Sequence, residues 1–97
     1  MTATRYALEE LAVLHPGHAV EVRVPPAGAV QAFGGPRHTR GTPPNVVECR
    51  PHTFLALATG RTAWEEVTGR PIDEGGVQAS GIRADLTEAL PFLRRNG

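Results

Sequence analysis

The sequence predicts an α+β fold in which helices gather on one face of a single sheet. Residues 20–24 alternate Val with Glu and Arg, as a strand does when one face meets the core and the other meets solvent. Apolar residues recur at three- and four-residue spacing between Thr4 and Leu14, which is the period of an amphipathic helix. The connections between the first three predicted strands contain no crossover helix, so we expect these strands to pair in antiparallel fashion. One sheet covered by helices buries both the apolar face of the strands and the apolar side of the helices.

The other elements follow from periodicity and from the residues that bound them. Pro51 suits the first turn of a helix, and Gly60 is a natural C-terminal cap. Further strands are predicted over residues 29–33, 45–49 and 77–80, and further helices over residues 51–60, 62–69 and 86–93.

Capping residues locate the starts of the two later helices. Thr62 and Glu65 have the spacing of a capping box, in which each side chain bonds the other residue's backbone N–H. Asp85, with Glu88 three residues on, is expected to cap the last helix in the same way. Pro91 should then end or kink that helix, because proline lacks the N–H that a helix interior needs.

The length of the chain bounds its core. A chain of 97 residues fits a single domain over residues 1–97. A domain of this size buries about 60–68% of the surface of its unfolded chain, so its core is thin. Any internal cavity therefore competes with packing for stability. The apolar content of 40% is ordinary for a globular protein.

The charge balance argues against polyanionic partners. Ten basic residues, all of them Arg, offset ten acidic residues, so the formal net charge is zero. Broad affinity for nucleic acid or for a membrane surface depends on a net basic field. No stretch approaches the roughly 18 apolar residues of a membrane span, and no signal segment opens the chain. We expect a cytoplasmic protein that neither inserts stably into membranes nor binds nucleic acid.

Motifs for catalysis, cofactors and metals are absent from the sequence. His15 and His18 flank a Pro-Gly pair, and no HExxH or CxxC pattern occurs. Cys49 is the single cysteine, so it cannot form an internal disulfide, and its place in a predicted strand favours a buried structural role. Ser80 is the single serine and lacks the glycine pattern of a nucleophile elbow. We expect no cofactor, no metal and no enzymatic activity.

A polar cluster over residues 37–42 allows two interpretations. Arg37, His38 and Arg40 could contact a phosphate, a carboxylate or the surface of a protein partner. Loops are polar in general, so a solvated hairpin tip explains the same residues. No aromatic platform accompanies the cations, which argues again against nucleic acid.

Apolar side chains on short elements in the second half of the chain form the other candidate site. Short helices are marginal by themselves and can shift apart, as a lipid pocket requires. An ordinary core produces the same pattern. The side chains in question are Phe54, Leu57, Trp64, Val67, Leu86, Leu90, Phe92 and Leu93.

Three runs carry a resemblance to a known family. They cover residues 20–31, residues 35–48, and residues 53–61 continuing through Trp64 to residues 79–86. On these runs the whole chain resembles small actinobacterial proteins grouped with the sterol carrier protein family.

The resemblance implies a fold and a function. The implied fold is a sterol-carrier-like α/β sandwich: a curved, mainly antiparallel sheet of four to five strands, covered by helices, with an apolar tunnel between the layers. The implied function is the binding or transfer of lipids, such as fatty acyl chains or sterols, without catalysis.

Three functional hypotheses remain open. The first is an apolar-ligand carrier with a pocket walled by Phe54, Leu57, Trp64, Leu86 and Leu90. The second is an accessory or protein-interaction module with a filled core, working through the Arg37–Thr42 loop. The third is an enzyme-like subunit in which Arg37, His38 and Arg40 hold an anionic substrate.

Overall fold

The computed structural model describes residues 2–35 and 44–93. Its order of elements agrees with the predicted order up to the end of the fourth strand. Two 3₁₀ turns, Ile72–Glu74 and Thr87–Ala89, flank that last strand. The elements are α1 (Ala3–Leu14), β1 (Val20–Val24), β2 (Gly28–Ala32), β3 (Val46–Cys49), α2 (Pro51–Ala58), α3 (Trp64–Val67) and β4 (Val77–Ser80).

The four strands form one sheet in the order β2-β1-β3-β4. β1 with β2 and β3 with β4 are antiparallel, whereas β1 with β3 is parallel. The expectation that the first three strands pair only in antiparallel fashion is therefore wrong for β3. The hairpin brings Ala32 back beside Val20, and Val46 enters beside Glu21 at the same end of β1. β2 has already brought the chain back to the end at which β1 begins. A third strand that starts there, on the free side of β1, therefore runs parallel to β1 without a crossover helix.

The sheet has one buried and one wet face, as the alternation predicts. α1 and α2 cover the buried face and join it in one contiguous core. Glu21 and Arg23, on the wet face, form an ion pair of 3.0 Å. The buried face consists of Val20, Val22, Val24, Ala32, Val47, Cys49 and Val77. The mainly antiparallel sheet with helices on one side confirms the predicted fold class.

The caps of the helices explain where they begin. The Thr2 hydroxyl accepts the Arg5 N–H at 3.1 Å and caps α1. α3 begins one residue later than predicted: the N-cap is Ala63, whose N–H donates to the Glu66 carboxylate at 3.1 Å. With Trp64 as the first helical residue, Trp64 and Val67 lie three residues apart and both face inward.

The predicted last helix is not formed. Asp85 accepts hydrogen bonds from the backbone N–H of Thr87, at 2.8 Å, and from its hydroxyl, which closes a local turn. Only the 3₁₀ turn Thr87–Ala89 follows. Leu86 and Ala89 are both buried, and 3₁₀ spacing places residues three apart on one side. The apolar period that suggested an α-helix is thus satisfied by a tighter turn.

A strained residue lies at the end of β2. Phe33 has φ of +69°, which is unusual for a bulky side chain. Its N–H donates to the His15 carbonyl at 2.7 Å, and its carbonyl accepts the Ala19 N–H at 3.0 Å. Gly17 lies in the turn between them with φ of +142°, and a Cβ there would lie 2.0 Å from the Phe33 oxygen. The turn after α1 and the end of β2 therefore depend on each other.

Replacing Gly17 by Ala should lower the free energy of unfolding by more than about 2 kcal/mol, because the new methyl group adds an overlap with the Phe33 carbonyl to the backbone strain. The matched control is Gly69→Ala, since Gly69 has φ of +85° but open space around its Cβ position. That control should cost about 1–2 kcal/mol. Denaturant titration measures both. Equal losses in the two variants would contradict the role given to the Phe33 contact.

Cys49 is a buried core residue, as predicted. Its side chain points from β3 into the covered face of the sheet. Burial and, to a smaller extent, the charge of Glu48 together raise the pKa of the Cys49 thiol to about 12. Because the thiolate is the nucleophile, the native thiol should be inert near neutral pH.

A disulfide reagent such as DTNB should therefore label native Cys49 very slowly between pH 7 and 9, since deprotonation requires a pH near the raised pKa of about 12. The same chain unfolded in guanidinium should react rapidly at pH 8. The absorbance of released thionitrobenzoate follows both reactions. A native rate at pH 8 equal to the unfolded rate would mean that Cys49 is not enclosed as described.

Candidate functional site

The five predicted wall residues separate into two groups. Phe54 is fully buried, with its ring centroid 6.1 Å from that of Phe92. Leu86 is 1% exposed and belongs to the same contiguous core as the valines of the sheet. In the part of the chain that the structure describes, sheet and helices meet at these two residues instead of enclosing a tunnel. Phe54 and Leu86 thus act there as core.

Leu57, Trp64 and Leu90, by contrast, meet at one cleft of about 330 Å³ that is open to solvent. We call it the Trp64 cleft. Trp64 is 8% exposed, Leu57 is 1% exposed and Leu90 is half-buried, so the apolar floor of the cleft is continuous with the core. The cleft is lined by Leu57, Gly60, Arg61, Thr62, Ala63, Trp64, Glu65, Glu66, Thr87, Leu90 and Pro91.

The turn after α2 builds one side of the Trp64 cleft. Gly60 has φ of +80°, and a Cβ there would lie 3.4 Å from Pro91. The N–H groups of Arg61 and Thr62 both donate to the Ala56 carbonyl, at 2.8 and 3.3 Å. The chain therefore doubles back at the end of α2 and begins α3 beside it.

The end of the described chain builds the other side. The N–H groups of Phe92 and Leu93 donate to the Ala58 carbonyl at 3.0 and 2.9 Å. These bonds tie the segment around Leu90 and Pro91 to the last turn of α2. Since this segment contains no regular helix, few local hydrogen bonds hold it in place.

Polar side chains form the rim of the Trp64 cleft. Arg61, Glu65 and Glu66 line it and are exposed, and Glu66 is engaged by the Ala63 N–H. An apolar floor with a polar rim suits a ligand whose apolar body lies on Trp64 while its polar end stays in water. The pattern of apolar residues predicted the floor. Sequence patterns marked Gly60 and Pro91 only as helix ends. That these two residues line the cleft together with the rim depends on how the two chain segments meet.

A second cleft, which sequence reasoning missed, lies at the end of β2. Its volume is about 470 Å³, and we call it the Phe33–Arg83 cleft. Thr87 lines this cleft and the Trp64 cleft, so the 3₁₀ turn at Thr87 borders both. The lining residues are Ala19, Val20, Phe33, Gly34, Arg83, Asp85, Thr87 and Glu88.

Other predicted features are placed as follows. Arg37, His38, Arg40 and the rest of the polar cluster lie outside the described residues. Over residues 2–35 and 44–93, no three His, Cys, Asp or Glu side chains are grouped so that they could hold a metal ion. Within the same ranges, every helix is too short or too polar to cross a bilayer.

Comparison with known proteins identifies the family. No curated protein matches the chain at a significant level. A family model described as bacterial SCP ortholog, in which SCP stands for sterol carrier protein, matches residues 1–92. This match covers all the described elements, from α1 to the segment that closes the Trp64 cleft. The chain therefore belongs to the family of bacterial sterol carrier protein orthologs.

Proposed function

We propose that the protein binds and carries an apolar small molecule, of lipid, fatty acyl or sterol-like type, without catalysing a reaction. It does so as a single cytoplasmic domain over residues 1–97. Membership of the sterol carrier family supports this class of ligand. Within the described residues, the Trp64 cleft is the site that fits it best.

One observation carries the proposal: Leu57, Trp64 and Leu90 come from three separate elements and converge on one cleft. Trp64 lines the cleft with the small part of its apolar surface that the core leaves exposed. Binding sites for small molecules have this composition, with an apolar lining and a few polar groups at the edge.

The size of the cleft limits how tightly a ligand can bind without rearrangement. Burying ~200 Å² of apolar ligand surface gains ~5 kcal/mol. Association opposes this with about 4–15 kcal/mol of lost freedom. Tight binding of a long acyl chain therefore requires the cleft to deepen.

The elements around Trp64 can provide that movement. α3 is a single turn of four residues, and the segment after Leu86 is irregular. Such elements open at a lower free energy than long helices or central strands. Separation of this segment from α2 would uncover Phe54, whose ring packs against Phe92 of the same segment.

The first test uses Trp64 as its own reporter, since it is the single tryptophan of the chain. Titration with dansyl-undecanoic acid should quench Trp64 emission and sensitise dansyl emission, because the probe would lie in van der Waals contact with the ring. An unlabelled fatty acid should reverse both signals. Native mass spectrometry after organic extraction then asks whether a lipid co-purifies. Absence of any binding would end the carrier proposal, and binding without a change in Trp64 emission would exclude this cleft.

Truncating the floor should weaken binding of the same probe. Leu90→Ala and Trp64→Ala should raise its Kd by about five- to thirtyfold, since each removes apolar surface worth about 1–2 kcal/mol. Leu90 is half-buried, so its variant tests the site with the smaller risk to folding. The matched control is Tyr6→Ala, because Tyr6 is a 53% exposed aromatic residue on α1 outside both clefts. An equal effect of the Tyr6 variant would refute the assignment.

A second candidate function is an accessory or protein-interaction module. The filled core favours it, because Phe54, Leu57 and Leu86 are no more than 1% exposed and pack against the sheet. Its working surface would be the Arg37–Thr42 loop, outside the described residues. Loss of a captured protein partner in an Arg37→Ala/Arg40→Ala variant, together with absence of lipid binding, would favour this candidate over the carrier.

A further inference from the structure

Opposite charges line the Phe33–Arg83 cleft without pairing with each other. Arg83 shares the cleft with Asp85 and Glu88, yet the guanidinium forms no ion pair with either carboxylate. Elsewhere in the described chain, close Arg and Glu side chains do pair, as Arg5 and Glu9 do at 3.3 Å. Among residues 2–35 and 44–93, the cleft therefore leaves a cation and two carboxylates available to a third group.

The backbone of Arg83 is anchored by Asn45, and its guanidinium lies against Gly35. The Arg83 backbone N–H donates to the Asn45 side-chain oxygen at 3.0 Å, and the Asn45 side-chain nitrogen donates to the Ala19 carbonyl at 3.0 Å. The Arg83 side chain then reaches over Gly35, where Nη1 lies 2.7 Å from the position that a Cβ would occupy. A side chain at position 35 would require the Arg83 guanidinium to shift.

The carboxylate of Asp85 is held separately. It accepts both the N–H and the hydroxyl of Thr87, and these bonds hold the pKa of Asp85 below its usual value. Asp85 therefore stays ionised at neutral pH. Glu88 is exposed and lines the same cleft one residue beyond Thr87.

Phe33 supplies an apolar wall of the cleft, and its backbone adopts a strained conformation with positive φ. A bulky residue at positive φ costs about 1–3 kcal/mol and persists where the surroundings hold it, often at functional sites. Here the bonds to His15 and Ala19 hold it. Gly34 also lines the cleft, and a Cβ there would lie in open space.

We propose that the Phe33–Arg83 cleft binds a small zwitterion of the α-amino-acid type. Its anionic group lies against Arg83, its ammonium group against Glu88 and Asp85, and its apolar side chain against Phe33. The Arg guanidinium matches the geometry of a carboxylate, and carboxylates accept the three N–H groups of an ammonium. A ligand with one charge satisfies one side of the cleft and is repelled by the other.

This site is independent of the proposed carrier function. The Trp64 cleft offers an apolar floor, whereas the Phe33–Arg83 cleft offers fixed charges of both signs, and the two share Thr87. Failure of fatty-acid binding would leave the zwitterion site untouched, and the reverse also holds.

The test compares three probes of nearly the same shape. L-leucine carries both charges, 4-methylpentanoate lacks the ammonium group, and 3-methylbutylamine lacks the carboxylate. Titration followed by ¹H–¹⁵N correlation spectra should shift the amides of Phe33, Gly34 and Arg83 with L-leucine. Each single-charge probe should bind at least threefold more weakly. Equal binding of all three probes, or shifts confined to other parts of the chain, would overturn the proposal.

Charge-removing variants give the second readout. Arg83→Gln and Glu88→Gln should each weaken L-leucine binding by about two- to fivefold, as expected for exposed ion pairs. Both residues are exposed, so the fold should be unaffected. In Arg83→Gln the preference for L-leucine over 3-methylbutylamine should also disappear.

The control variants are Arg70→Gln and Glu74→Gln, which remove exposed charges outside both clefts. They should leave L-leucine binding unchanged. If Glu88→Gln strengthened L-leucine binding, or if the controls weakened it as much as the cleft variants do, the cleft would not be recognising a zwitterion.

Discussion

The central strand β1 is the element on which the rest of the structure depends. It pairs with β2 on one side and with β3 on the other, and its three valines form the middle of the buried face. α1 and α2 pack on that face in one contiguous core. Because this packing leaves the valines of β1 almost without exposed surface, sheet and helices cannot stand apart there. The two clefts lie instead at the edge of the layers.

Both clefts lie against the irregular segment that follows β4. This segment is bound to the start of β3 through Arg83 and Asn45, and to the end of α2 through Ala58. Thr87, between these two attachments, borders both clefts. A stretch without regular structure can turn polar groups toward one cleft and apolar groups toward the other, because no helical period constrains which residues share a side. The same segment thus lines both the apolar Trp64 cleft and the charged Phe33–Arg83 cleft.

The site residues show what an apolar pattern can and cannot predict. Periodicity correctly indicated that Phe54, Leu57, Trp64, Leu86 and Leu90 face inward. It could not separate Phe54 and Leu86, which fill the core, from Trp64 and Leu90, which border a cleft. An inward-facing side chain has the same spacing whether it meets another side chain or a void. The assignment of these five residues to a ligand stays a prediction.

Local patterns in the sequence determined α1, β1 and β4, and also which face of the sheet is buried, because helix and strand periods act over a few neighbouring residues. Tertiary structure alone decided that β3 lies parallel to β1, since strand pairing depends on which edge is free. It also decided that residues 85–93 form a turn and not a helix, because their N–H groups find Thr87, Asp85 and Ala58 as partners. The charged cleft joins Phe33 to Arg83 across some fifty residues. No local period can report contacts over such a distance.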